Sequence, residues 1–86
     1  MPELSRFYGI VIRMYYNDHN PPHFHAEYGS DQMVVDAQTL AVIDGRLPPR
    51  ATGLVMEWAA QHLEDLQRAW QQARDMQTLQ RIDPLP

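Results

Sequence analysis

Phe7-Tyr8-Gly9-Ile10-Val11-Ile12-Arg13-Met14-Tyr15-Tyr16 is dense in β-branched and aromatic residues, and reading it as one buried strand turns the N-terminal half into a sheet. Successive strand side chains point to opposite faces, so Ile10, Ile12 and Met14 share one face and Val11, Arg13 and Tyr15 the other. Downstream, Asn17 to Pro22 has the composition of a turn. Residues 23–29 then read as a second strand, entered from prolines that need supply no ladder donor. Gly29-Ser30-Asp31 signals another turn, residues 32–37 set Met33 and Val35 against Val34 and Asp36, and a short run over 40–43 ends at Asp44-Gly45. Loops this short join neighbours most simply as an antiparallel meander of three to four strands.

The character changes at Leu47-Pro48-Pro49. A proline at the first helical position is pre-organised for a helix, and Ala51, Leu54, Val55, Trp58, Ala59, His62, Leu66, Ala69, Trp70 and Ala73 recur at three- and four-residue steps. The spacing predicts one long C-terminal amphipathic helix over 50–74, with room for a kink near its middle, packed on the meander. The chain is therefore a single α+β domain over residues 1–86. Trp58 and Trp70 are twelve positions apart, about 120 degrees around a straight helix. Trp58 is accordingly expected in the core, and Leu66, Trp70 and Ala73 as a patch for a protein partner or a second copy. The tail over 78–86, with Leu79 and Ile82, is expected either as an extended arm on the sheet or as a docking segment.

Composition excludes several classes. A chain of 86 residues with no cysteine has a small core and neither a disulfide nor a thiolate zinc site, which favours support from self-association or a second protein. A net charge of -4, no lysine, and seven arginines scattered from Arg6 to Arg81 make nucleic acid a poor partner. Met1 to Arg6 lacks the basic region and apolar run of a secretory signal. No window reaches the ~18 apolar residues that span a bilayer, so a cytoplasmic protein is expected.

The chemistry concentrates in Asn17-Asp18-His19-Asn20-Pro21-Pro22-His23-Phe24-His25-Ala26-Glu27-Tyr28. On an extended backbone, His23, His25 and Glu27 share one face and Phe24, Ala26 and Tyr28 the other. Imidazoles at i and i+2 can give a metal two neutral nitrogen ligands, and His19 could swing in from the loop. The expected triad is thus His19, His23 and His25, suited to zinc or another transition metal. Glu27 stands about 13 Å of strand rise from His23, too far to join it on one ion. The competing structural reading has these histidines bonded to backbone carbonyls, with Asp18 and Asn20 forming turns. A catalytic alternative uses His23 and His25 as general acid and base, with Arg13, or Arg46 and Arg50 near the helix N-terminus, neutralising phosphate.

The words Arg6-Phe7-Tyr8-Gly9-Ile10, Met14-Tyr15, Asp18-His19, Pro21-Pro22-His23-Phe24-His25-Ala26, Tyr28, Gly45, Leu47-Pro48, Trp58 and Ile82-Asp83-Pro84-Leu85 resemble, nearly end to end, the small bacterial domain-of-unknown-function family numbered 4160. The resemblance implies a small α+β domain, often encoded beside another small protein in an arrangement suspected of toxin–antitoxin-like pairing. Such families place a glycine in the turn before the last strand, where this chain has Thr39-Leu40. The function expected is a protein-interaction domain of such a pair, with the His-rich hairpin as its surface and the product of the adjacent gene, or a second copy, as partner. The alternative is a metal-assisted or His-His hydrolase acting on RNA.

Overall fold

The computed structural model describes residues 2–16 and 18–86; Met1 and Asn17, which opens the expected turn, lie outside the described residues. The sheet has five strands rather than three or four, in the order β1-β2-β3-β4-β5. They are Glu3–Phe7, Ile10–Arg13, His23–Tyr28, Asp31–Asp36 and Val42–Gly45, each antiparallel to its neighbour.

The long N-terminal strand is corrected to a hairpin. Tyr8 and Gly9 both have positive φ, +48° and +80°, the backbone of a two-residue turn whose twist matches the flanking strands. Phe7 therefore pairs with Ile10. Apolar patterning missed this because a tyrosine is an unusual occupant of that conformation. Leu40 in turn adopts φ +63°, where the resemblance places glycine. The Asp36 carboxylate accepts the Gln38 and Thr39 N–H groups at 2.7 and 2.9 Å and holds that turn. The last strand accordingly begins at Val42 rather than at residue 40.

The single helix is also corrected. α1 covers Pro49–Gln61 and α2 covers Leu63–Arg74, with His62 between them at φ -130°. The His62 N–H donates to Ala59 O, and the His62 ring meets the Asp65 carboxylate at 3.0 Å. The break has a packing consequence. A straight helix would set Trp58 and Trp70 about 120 degrees apart, whereas two segments let Val55, Trp58 and Ala59 of α1 and Leu66, Ala69, Trp70 and Ala73 of α2 all turn inward. Leu66, Trp70 and Ala73 are thus core residues, not the exposed partner patch expected for them; Trp70 is 5% exposed.

One sheet face, built from Ile10, Ile12, Phe24, Ala26, Met33 and Val35, joins these helix residues in one core. Phe7 and Phe24 both lie against Trp58, with ring centroids 5.5 and 6.0 Å apart. The tail is the arm, not a free docking segment. Leu79, Ile82 and Leu85 are buried, and Ile82 N–H donates to Leu4 O of β1 at 2.8 Å. The Trp58 indole donates to Asp83 O, and the Tyr8 hydroxyl to Pro86 O, at 2.8 and 2.6 Å.

Candidate functional site

His23 opens β3 and His25 follows two residues later, so the pleat turns both rings to the sheet face opposite Phe24 and Ala26. Their centroids are 5.4 Å apart. The loop from Met14 to Pro22 folds back over this end of the sheet, with a cis Asn20–Pro21 peptide, and delivers Asp18 rather than His19. Tyr15 stands edge-on to His25 at 4.6 Å, and Trp70 lies against His23 at 5.3 Å. A nitrogen from each imidazole and an oxygen of Asp18 all lie within 4.8 Å of one another.

The hydrogen bonds restrict the protonation of these rings. His23 Nδ1 is 2.7 Å from the Pro21 carbonyl, which can only accept, so Nδ1 carries a proton. His23 Nε2 is 2.9 Å from Asp18 Oδ2. An ionised carboxylate also only accepts, so this contact needs either a second ring proton or a cation shared between the lone pairs. Burial works to raise the Asp18 carboxyl, but the His19 backbone N–H and the His23 ring outweigh it and hold Asp18 below the ordinary carboxylate range.

His25 differs. The Gln32 side chain meets its Nδ1 at 2.8 Å, while its Nε2 is buried with no hydrogen-bond partner. Burial, reinforced by the adjacent His23, holds this imidazole below its usual range against the opposing pull of Asp18 and Glu27. Its surroundings thus favour the neutral ring.

His19, expected among the ligands, has its side chain 91% exposed, with its ring 3.2 Å from Asp18 Oδ1 and its centroid 6.2 Å from that of His23. Arg13 is the strand partner of His25, and its guanidinium reaches Glu27 at 3.2 Å. Arg46 and Arg50 lie elsewhere: Arg46 donates its N–H to Gln32 O and Arg50 lines a groove with Tyr28. That is the far end of β3 from His23, roughly 16 Å by strand rise. Both His23 nitrogens are engaged within the protein, and the free nitrogen of His25 is buried.

The second unusual feature adjoins the first. Across the sheet, Arg13, His25, Val34 and Asp44 are aligned partners, and a groove of about 210 Å³ is lined by His25, Gln32, Val34, Asp44 and Gly45. It leads to β5, which is exposed at every position. Val42 and Ile43 are 47% and 48% exposed. Nothing among the described residues pairs with the outer side of this strand.

Sequence reasoning missed Asp18 as a member of the cluster. The available signal was an acidic residue five positions before His23, read there as a turn-former. A model of the family described as Domain of unknown function (DUF4160) matches residues 9–71. The chain belongs to this family. No curated protein and no solved structure matches it. The DUF4160 match takes in Asp18, His23, His25 and all of β5, and ends before the arm that carries Ile82-Asp83-Pro84-Leu85.

Proposed function

We propose that this DUF4160 protein is a protein-interaction domain, one member of a pair of small proteins, which adds an extended segment of its partner to the open edge of β5. The observation that carries this reading is the exposure of all four β5 residues at a sheet edge, with two adjacent aliphatic side chains, Val42 and Ile43, each about half exposed. An unprotected edge presents a row of unpaired N–H and C=O groups, the template used when an extended peptide joins a sheet. The same chain spends three buried aliphatic residues covering its other edge, β1, with its own arm.

Charge adds to the specification. The protein is acidic overall, and Asp44 lies within β5. The fitting segment is extended, apolar opposite Val42 and Ile43, and basic beside Asp44. No helix among the described residues is long and apolar enough to cross a membrane. The toxin–antitoxin-like pairing comes from the family resemblance and belongs to the same proposal, as does a cytoplasmic setting.

Co-expression with the product of the adjacent reading frame tests it. The wild-type chain should co-elute with that product, and Ile43→Lys should release it while the chain keeps its fold. A complex that survives both Ile43→Lys and Val42→Lys sinks the reading. A dimer of the chain alone that the same changes dissolve would replace the partner with a second copy.

A further inference from the structure

His25 Nε2 is a polar side-chain atom buried without a partner, and its ring lies against His23. Leaving a buried polar group unpaired is costly, so an orphaned ring nitrogen grouped with a second imidazole and a carboxylate points to a site with an additional occupant. In each imidazole Nδ1 is engaged by a polar group, the Pro21 carbonyl for His23 and, with its amide nitrogen toward the ring, Gln32 for His25. The Nε2 of His25 has no partner, and that of His23 faces Asp18 Oδ2 at 2.9 Å. Metal-ligating histidines commonly hold their second nitrogen against a carbonyl, which fixes the tautomer and aims the lone pair. The Pro21 bond does this for His23 directly. A half-turn of the Gln32 amide, bringing its oxygen to Nδ1, does it for His25.

We propose that Asp18, His23 and His25 form a binding site for a divalent first-row transition ion, taken by one carboxylate oxygen and the two Nε2 atoms, with Pro21 and Gln32 orienting the rings. The donor set is two imidazoles and one carboxylate, which suits zinc or ferrous iron and leaves coordination positions for other ligands. Magnesium and calcium, which prefer shells of oxygen, fit it poorly. An ion between Asp18 and His23 removes the need for a second proton on His23 and gives His25 Nε2 the partner it lacks. The site does not depend on partner binding at β5, so the two proposals stand or fall separately.

The test uses the full chain without an affinity tag, stripped with chelator and titrated with zinc chloride, with bound metal, melting temperature and circular dichroism measured together. One zinc per chain and a raised melting temperature are expected, and cobalt(II) in place of zinc should give visible absorption bands from a bound, non-aqueous site. His25→Gln and Asp18→Asn should abolish both signals. Gln32→Ala should weaken binding about 10- to 100-fold, and the exposed His19→Ala should change nothing. Failure of the wild-type chain to bind zinc or cobalt overturns the site outright, whatever the variants do. So does binding that persists in folded His25→Gln, or that disappears in His19→Ala.

Discussion

The two edges of the sheet are treated in opposite ways. Along β1 the chain lays its own C-terminal arm, burying Leu79, Ile82 and Leu85 and tying the backbone with the bond from Ile82 N–H to Leu4 O. Along β5 it leaves four residues exposed. A bare edge is an aggregation hazard that folds usually blunt; this fold covers β1 with the arm, whereas β5 relies on its shortness, a register shift against β4 and the charge of Asp44. The difference teaches that the arm belongs to stability; on the proposed reading the open strand serves association, and each role should be removable without the other.

Deleting residues 79–86 should have the largest effect. Burying an aliphatic side chain is worth about 1.5–3 kcal/mol, so losing three of them, together with the acceptor for the Trp58 indole, should cost roughly 4–6 kcal/mol after allowing for residual burial in the unfolded chain. Domains of this size are stable by only about 5–15 kcal/mol. The shortened chain should be largely unfolded, or should aggregate through the freed β1 edge, in urea titration and gel filtration. A melting temperature within a few degrees of the full chain would break the comparison at its stronger side.

Gly45→Ala should come next. Gly45 sits at φ +66°, and an added Cβ would run into the Gln32 backbone carbonyl. The conformation and the clash together should cost about 2–4 kcal/mol. They should also detach β5 from β4, so urea midpoint and partner binding fall together. Unchanged stability would mean that β5 is not held as described.

Acid should loosen the arm by a smaller amount. Glu3 on β1 receives Arg6 at 2.8 Å and Arg81 of the arm at 3.0 Å. The hydrogen bonds from Arg6 and then Arg81 lower its pKa from 4.5 to about 2. A carboxylate with a depressed folded-state pKa stabilises fully above its unfolded value and loses that contribution as pH falls through the folded one. The arm's contribution from Glu3 should therefore be intact above pH 4.5 and fade toward pH 2. Trp58 fluorescence should follow this change, and Glu3→Gln should flatten it between those limits.

Ile43→Lys should have the smallest effect on stability, within about 0.5 kcal/mol, because the side chain touches little in the isolated chain. Its consequence should instead be loss of the partner. Equal loss of stability and binding would show that β5 supports the fold as much as the arm does.

Much of this contrast was legible in the residues, and its errors have physical causes. Alternation over 32–36 located β4, and the three- and four-residue recurrence after Pro49 located the helical half. The hairpin at Tyr8-Gly9 was hidden because both flanks are apolar and only backbone φ distinguishes a turn there. The break at His62 falls where the spacing leaves room for a kink near the middle of the helix, but no proline or glycine marks it as a full interruption. That break also moved Trp70 from an expected surface patch to the core. Of the candidate metal residues, His23 and His25 followed from the pleat alone. Asp18 replaced His19 because which of two adjacent loop residues turns inward depends on how the loop returns over the sheet.

By itself the sequence determined an α+β chain with a meander, a helical second half, and two imidazoles on one strand face, because these rest on local periodicity and chain geometry. Only the tertiary structure decided which edge the arm would cover, which edge would stay open, and which carboxylate would meet the histidines. Those outcomes depend on contacts between residues far apart in the chain, such as Leu4 with Ile82 and Trp58 with Asp83, and no local pattern encodes them.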